Sequence, residues 1–330
     1  MNNLRILITG GAGYLGSILT RKCLSKGHQV RVLDDLWYGD QSIQECQKDE
    51  NFELIKDDLR NLTTTVRAMK EVDGVIHLAS IVGMPASSIE PRTSEEINYL
   101  VTKNIAELCT LHKIPTYIFA STCSVYGSQP NSMITEKSEV FPMDFYAEQK
   151  YLSERAINWL NRAPMILRFG TLFGYSPRMR FDLVINLFIA QAIVEDKITV
   201  FGGSQYRPFL HVQDAAESLL FALENDLTGT YNVISENLTI LDAAKRISEL
   251  TGCQIEISNE NEDKRNYQVS GEKINKMGFK PKFSIEEAFK EIKEKIENKE
   301  IKDFKNEIYS NYKLLYSSKE MQSRVFMQGI

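Results

Sequence analysis

Histidine and tryptophan are scarce in this chain, at four and two residues of 330, and the five cysteines are odd in number and scattered. Cys23, Cys46, Cys109, Cys123 and Cys253 share no paired spacing, so neither a disulfide framework nor a thiolate metal site is expected, and the thiols read as reduced. No histidine stands in an HExxH or comparable arrangement, which leaves no metal centre to expect. No apolar run approaches the ~18 residues of a membrane span. The N-terminus leads directly into a strand and a glycine loop without a signal-peptide pattern, so the expectation is a cytoplasmic protein that does not engage a membrane. Net charge is −5 with both signs dispersed. Without a basic stripe, nucleic acid is not an expected partner. Neither an internal repeat nor a low-complexity linker occurs, and the length accommodates a large core in two subdomains.

What is present begins with TGGAGYLGS, Thr9 to Ser17, between an apolar run, Leu4 to Ile8, and a helix-like segment, Tyr14 to Ser25. Gly10, Gly13 and Gly16 let the backbone turn out of a strand, approach a pyrophosphate and pack a helix on the sheet, and Tyr14 and Leu15 between them are expected to meet the cofactor as well. The helix N-terminus offers free N–H groups and a positive dipole end to phosphates. The next strand, Gln29 to Leu33, ends in Asp34, close to the ~20 residues downstream at which a carboxylate meets the adenosine ribose. Glycines in a turn are more often structural, but this combination points to a dinucleotide. Asp34 would repel a 2′-phosphate, so NAD is expected over NADP.

Further along, Phe52 to Ile55 reads as a short strand leading to Asp58 and Leu59. Asp58 could accept from the adenine amino group while Leu59 covers a ring face, or it could cap the helix beginning near Leu62. Gly74 to Ser80 is a buried-strand run ending in Leu78, Ala79 and Ser80, where large side chains would block a flat cofactor. His77 within it reads better as a packed core residue than as a catalyst. A helix is expected over 93–112, with Asn98 turned inward to tie backbone near the site. Thr116 to Ala120 is another buried strand and delivers Ser121-Thr122-Cys123-Ser124-Val125-Tyr126-Gly127. Strand and helix alternate throughout, which implies a parallel, doubly wound sheet with its ligands beyond the carboxyl ends of the strands.

Tyr146 and Lys150 open a helix expected to run to about Asn161, and their spacing puts them one turn apart on one face. Taken alone they read as a surface pair. Downstream of a dinucleotide loop they read as an acid–base pair, in which an ammonium and a nicotinamide cation would draw the phenol below its usual ~10.

The set TGGAGYLGS, Asp34, Asp58-Leu59, VIHLAS, Asn98, STCSVYG, Tyr146 with Lys150, and RPFLHVQD resembles the extended short-chain dehydrogenases/reductases, in the NAD-dependent nucleotide-sugar epimerase/dehydratase family. The resemblance covers residues 4 to 225 or more. It implies an α/β fold, a Rossmann-like doubly wound parallel sheet with a smaller, interleaved C-terminal substrate domain. Residues 1–172, with a return of about 208–225, would form the NAD-binding unit, and 173–330 mainly the substrate unit and tail. It further implies that Thr122 hydrogen-bonds the substrate hydroxyl, Tyr146 exchanges its proton, and Lys150 holds the nicotinamide ribose. A homodimer through the helices after Thr93 and from Tyr146 is implied as well. Relatives that dehydrate carry Asp-Glu directly after the threonine, whereas Cys123 and Ser124 stand here and neither replaces a carboxylic acid at neutral pH.

In the second half, Met165 to Gly174 reads as a strand and exit turn, with Thr171 where the family usually has asparagine. Arg178 and Arg180 follow in a loop, where they could hold a diphosphate or sugar or pair with surface acids. Arg207 matches the family's diphosphate-binding arginine, and Arg265 lies where relatives have a second. Strands are expected at Ile198 to Gly202 and Gly229 to Val233, a helix over Leu241 to Leu250, and an amphipathic one from Ile285 to Phe304. The tail, Lys305 to Ile330, could wrap its own subunit, contact a partner or close over substrate.

The expected activity is epimerisation of a UDP-, GDP- or dTDP-linked sugar at C4, through a transient 4-keto sugar. The alternatives are a nucleotide-sugar 4-dehydrogenase or ketosugar reductase acting on a hexose or heptose, then a 4,6-dehydratase or a non-catalytic NAD-binding protein.

Overall fold

The computed structural model describes residues 3–159, 164–258, 263 and 265–317. β1, Arg5–Thr9, has Ile6, Leu7 and Ile8 fully buried, each contributing about 1.5–3 kcal/mol relative to exposure. α1, Gly16–Ser25, starts two residues later than the apolar pattern suggests, because Tyr14 and Leu15 belong to the turn. β2, Gln29–Asp34, β3, Phe52–Lys56, α2, Leu62–Ala68, and β4, Gly74–His77, follow. Asn61 caps α2 by accepting from the Thr64 N–H, so Asp58 is not its cap.

The helix expected over 93–112 is broken into parts. After α3, Met84–Ser87, come α4, Pro91–Glu95, a π-helical turn, Glu96–Leu100, and α5, Val101–Leu111. The wider turn carries Asn98, which is fully buried. Its carboxamide accepts from Ser80 Oγ and the Ile81 N–H, both at 2.8 Å. It donates to the Ile81 carbonyl at 3.0 Å and Gln149 Oε1 at 2.8 Å. Four hydrogen bonds compensate the distortion, and such turns concentrate at functional sites.

β5, Thr116–Thr122, β6, Gln129–Ile134, and α6, Phe145–Asn158, complete the first half. Asp144 caps α6 through the Ala147 N–H at 2.9 Å; the expected end at Asn161 lies outside the described residues. The second half adds β7, Met165–Phe169, β8, Thr171–Phe173, α7, Val184–Val194, β9, Lys197–Phe201, β10, Tyr206–His211, and α8, Val212–Glu224. Then come β11, Gly229–Val233, β12, Glu236–Thr239, α9, Ile240–Thr251, β13, Gln254–Ser258, β14, Tyr267–Val269, α10, Glu272–Lys276, α11, Ile285–Glu297, and α12, Asn311–Ser317.

Seven strands form one wholly parallel sheet in the order β11-β7-β5-β4-β1-β2-β3. The order reverses between β1 and β4, so a crevice opens at their carboxyl ends. β11 is an edge strand of this sheet although it lies beyond both 172 and the expected return of 208–225. α8 covers the sheet beside α1, joined by Lys22–Glu217 at 2.6 Å. Three small sheets, β12-β10-β8, β13-β9 and β14-β6, build the other side. The last of them takes its strand Gln129–Ile134 from the first half.

α11 ends at Glu297 rather than continuing to Phe304, as Lys299 turns left-handed at φ 61. Ile301 and Phe304 stay buried in irregular chain. The tail wraps its own subunit as far as it is described: Tyr309 accepts from the Phe181 N–H at 2.9 Å, the Asn311 N–H donates to Asp182 at 2.9 Å, and Leu315 is buried near Ile81 and Ala86. Residues 318–330 lie outside the described residues. All five cysteines are buried free thiols. Among the described residues no helix is long and apolar enough to cross a membrane, and no cluster of three His, Cys, Asp or Glu could hold a metal ion.

Candidate active site

A cavity of about 710 Å³ opens at the carboxyl edge of the large sheet, and both halves of the chain line it. Its glycine wall is tight. Gly10 has φ 74, and a Cβ there would sit 2.8 Å from the Ala79 backbone; at Gly16 a Cβ would meet the Gly10 carbonyl at 2.1 Å. At Gly13 it would meet only that carbonyl, at 3.2 Å, so the missing side chain there chiefly leaves room on the cavity side. Asp34 accepts from the Ala12 and Leu36 N–H groups, each at 2.9 Å. Burial lifts its carboxyl above the usual range while those two N–H groups act against the rise. Two of its roughly four lone-pair sites are used, leaving acceptors for a pair of ribose hydroxyls.

Tyr14, Leu15, Leu59, Leu78, Ala79 and Ser80 line the same end, and Asn98 stands behind it, holding the loop at Ile81. Asp58 also lines it, already gripped by Arg60 through Nε at 3.1 Å and Nη2 at 2.7 Å, and Arg60 reaches on to Glu96 at 2.9 Å. Trp37, Val82 and Met84 complete this wall; the first two sit in loops and Met84 opens the one-turn α3, and nothing in the local pattern marks them. The close backbone approach, the ribose acceptor and the apolar walls fit NAD.

β5 and α6 bring Thr122, Tyr146 and Lys150 to the floor of the cavity. Thr122 Oγ1 lies 2.9 Å from Ser124 Oγ and accepts from the Ser124 N–H at 3.1 Å. Lys150 Nζ donates to the Ala120 carbonyl at 3.0 Å and stands 5.9 Å from the centre of the Tyr146 ring. Burial pushes the Lys150 ammonium down to about 7, against the opposing charge of Glu154. Burial, with Asp144 adding to it, holds the Tyr146 phenol well above its usual range, while Arg180 pulls the other way. The lowering expected from an ammonium together with a nicotinamide cation is not produced by the chain alone, in which desolvation outweighs the charge of Arg180.

Beneath the floor, Arg168 forks onto Glu154, whose Oε1 also accepts from Ser121 Oγ at 2.5 Å. Arg168 Nη1 donates to Tyr126 Oη at 2.8 Å. This buried network was signalled only by a charge inside the apolar run MILRF and by a glutamate four residues beyond Lys150. Cys123 turns away and donates from Sγ to the Arg168 carbonyl at 3.2 Å. His77 is held between Thr9 Oγ1 at 2.6 Å and Thr102 Oγ1 at 2.9 Å, and burial pushes it down to about 3, so it packs as a neutral core residue.

Thr171 and four arginines line the cavity as well, Arg178 toward the glycine turn and the others beyond it. Arg180 forks onto Asp182, at 2.9 and 3.1 Å. Arg207 pairs with Asp263 at 2.8 Å and donates to the Arg265 carbonyl. Arg265 forks onto the same Asp263, with Nη2 at 2.6 Å, and reaches Asp144 at 3.3 Å. The two guanidinium groups hold the Asp263 carboxyl far below the usual carboxylate range despite its burial. Arg178 is buried over the Tyr38 ring, 4.1 Å from its centre. Asn311 and Tyr312 of the tail close this side.

A family model described as the NAD dependent epimerase/dehydratase family matches residues 6–233. The chain is 30% identical over 269 residues to the uncharacterized UDP-glucose epimerase YtcB of Bacillus subtilis (strain 168), spanning 76% of this chain and 83% of that one. It is 29% identical over 337 residues to UDP-glucuronic acid decarboxylase 1 of Xenopus tropicalis, spanning 97% and 77%. Among solved structures, the UDP-N-acetylglucosamine 4-epimerase from Methanobrevibacter ruminantium M1, in complex with UDP-N-acetylmuramic acid, superimposes with a TM-score of 0.80 at 25% identity, covering 90% of this chain and 98% of that one.

Proposed function

The chain belongs to the NAD-dependent epimerase/dehydratase family, and from that premise we propose that it is a nucleotide-sugar epimerase acting at C4 through a transient 4-keto sugar. One observation carries the reading: Thr122, Tyr146 and Lys150 open into a single cavity that also holds the glycine loop and four arginines. Resemblance to proteins named as UDP-sugar epimerases supports UDP as the nucleotide. In this reading residues 1–172, with 208–225 and β11, carry the dinucleotide, and Thr171, Arg207 and Arg265 face the sugar nucleotide.

NAD, when bound, supplies the hydride acceptor and a cationic ring. Thr122 Oγ1 holds the C4 hydroxyl and later its carbonyl oxygen. Tyr146 takes the hydroxyl proton and returns it to the same oxygen. That role needs the phenol to ionise more readily than burial alone permits, so it depends on added positive charge beside it. Lys150, poised at about 7, positions the ribose and restores charge near the phenol. Neither Cys123 nor Ser124 offers a carboxylate for water elimination. Leu100 at the end of the π-helical turn, Leu152 on α6 and Trp159 just after it are exposed apolar surface suited to a homodimer.

Incubating the purified protein with NAD and a panel of UDP-, GDP- and dTDP-sugars, followed by proton NMR, tests the reading. A new sugar of equal mass without accumulating NADH is expected. A keto sugar with stoichiometric NADH would replace epimerase by 4-dehydrogenase, and a pentose formed from a uronic acid would replace it by decarboxylase.

A further inference from the structure

Of the four arginines lining the cavity, three meet a carboxylate and Arg178 does not. Its side chain enters no ion pair among the described residues, its residue is 6% exposed, and its Nη2 has no hydrogen-bond partner there. A buried guanidinium without an anion is costly, and truncating or replacing such a group is often stabilising. A charge kept in that state calls for an anionic ligand.

The surrounding contacts say where the anion lies. Ser176, two residues before Arg178, donates from Oγ to the Tyr14 carbonyl at 2.6 Å and lies 3.1 Å from Ser17 Oγ. Tyr14 Oη in turn donates to the Gly174 carbonyl at 2.6 Å. The segment 174–178 is thus pinned to the glycine turn at the N-terminus of α1. On its other side the Arg178 guanidinium lies on Tyr38, four residues past Asp34. The position between the ribose acceptor and the helix N-terminus is the one a dinucleotide's diphosphate takes.

We propose that Arg178 is the counter-ion of the NAD diphosphate, so that the cofactor itself ties the 174–183 loop of the second half to the glycine turn of the first. Burial and the neighbouring Arg180 push the Arg178 guanidinium down to about 10, in keeping with a site built for an anion. The assignment moves Arg178 from the substrate to the cofactor, and it rests on the NAD dependence of the family rather than on the choice of sugar. A diphosphate could also come from the nucleotide sugar, and the test separates the two sources.

Arg178→Met and Arg178→Lys are compared with the unaltered protein by the exchange of bound NAD into isotopically labelled NAD, and by calorimetric titration of NAD-loaded protein with UDP. Arg178→Met is expected to speed NAD exchange by roughly ten-fold or more, Arg178→Lys by less, and UDP affinity stays within about two-fold. In protein stripped of NAD, Arg178→Met is expected to raise the melting temperature, because an unpaired buried charge is gone, while the increment added by NAD shrinks. NAD exchange at the unaltered rate in Arg178→Met would overturn the proposal. A loss confined to UDP would overturn it too, and would assign the guanidinium to the nucleotide sugar.

Discussion

At the glycine-loop end of the cavity the key carboxylate, Asp34, is fixed by two backbone N–H groups and keeps acceptors to spare, and the neighbouring guanidinium, Arg178, has no carboxylate partner among the described residues. At the far end the situation is reversed, since Asp263 occupies both Arg207 and Arg265, and Asp182 occupies Arg180. One end is preorganised with its charges open to a ligand; the other satisfies itself. A diphosphate arriving at the far end has to share or displace Asp263, which predicts that binding there moves residues 263–265 while binding at the glycine end moves little.

The sharpest change lies where the two ends meet. Tyr146→Phe is expected to lower kcat by roughly 10²–10⁴-fold with NAD content unchanged, measured by turnover and by NAD released on denaturation. Asp34→Ala acts on the glycine end alone, speeding NAD exchange by about ten-fold or more while UDP affinity on NAD-saturated protein holds. Asp263→Asn acts on the far end alone. It frees two guanidinium groups, so UDP binding is expected to tighten by roughly three-fold with a steeper salt dependence, and the ligand-free melting temperature falls because Arg207 is left buried without its carboxylate. Weaker UDP binding in that variant would break the comparison, since Asp263 would then be organising the arginines rather than occupying them.

The smallest effect is a pH slope. Lys150 sits at about 7 in the folded protein against about 10.4 when unfolded. Between those values the unfolded chain binds more protons, so stability rises with pH across that window, and below about 7 the full cost of burying the ammonium is felt. Lys150→Met is expected to flatten this slope and to raise the melting temperature by a few degrees at pH 6, with the gain fading toward pH 10.

The glycine end was legible because its determinants are local: Gly10, Gly13 and Gly16 lie within one turn, Asp34 ends the next strand, and Tyr146 and Lys150 share one helix face. At the far end Thr171, Arg180, Arg207 and Arg265 were named, but the links that join their segments were not, because those run between residues distant in the chain. Asp182 receives the Asn311 N–H across 129 residues, and Arg207 meets Arg265 across 58. Asn98 shows the limit of periodicity. The spacing of Ile97, Val101 and Ile105 fits a continuous helix, yet four side-chain hydrogen bonds sustain a π turn within it. Likewise the apolar positions of 285–304 suit one helix, but Ile301 and Phe304 reach the core after a left-handed residue ends it. The lysine–tyrosine pair was read from its spacing and from the dinucleotide loop upstream, neither of which speaks of desolvation, and burial in the chain by itself raises the phenol.

The central claim is that oxidation and return of the same hydrogen occur within one cavity. Epimerisation of a UDP-sugar carrying deuterium at C4 tests it, with the product examined by NMR and mass spectrometry in the presence of added unlabelled NAD. Retention of the deuterium at C4 of the inverted sugar, with none in solvent or in the added NAD, is the predicted result; loss of the label to solvent would contradict the account.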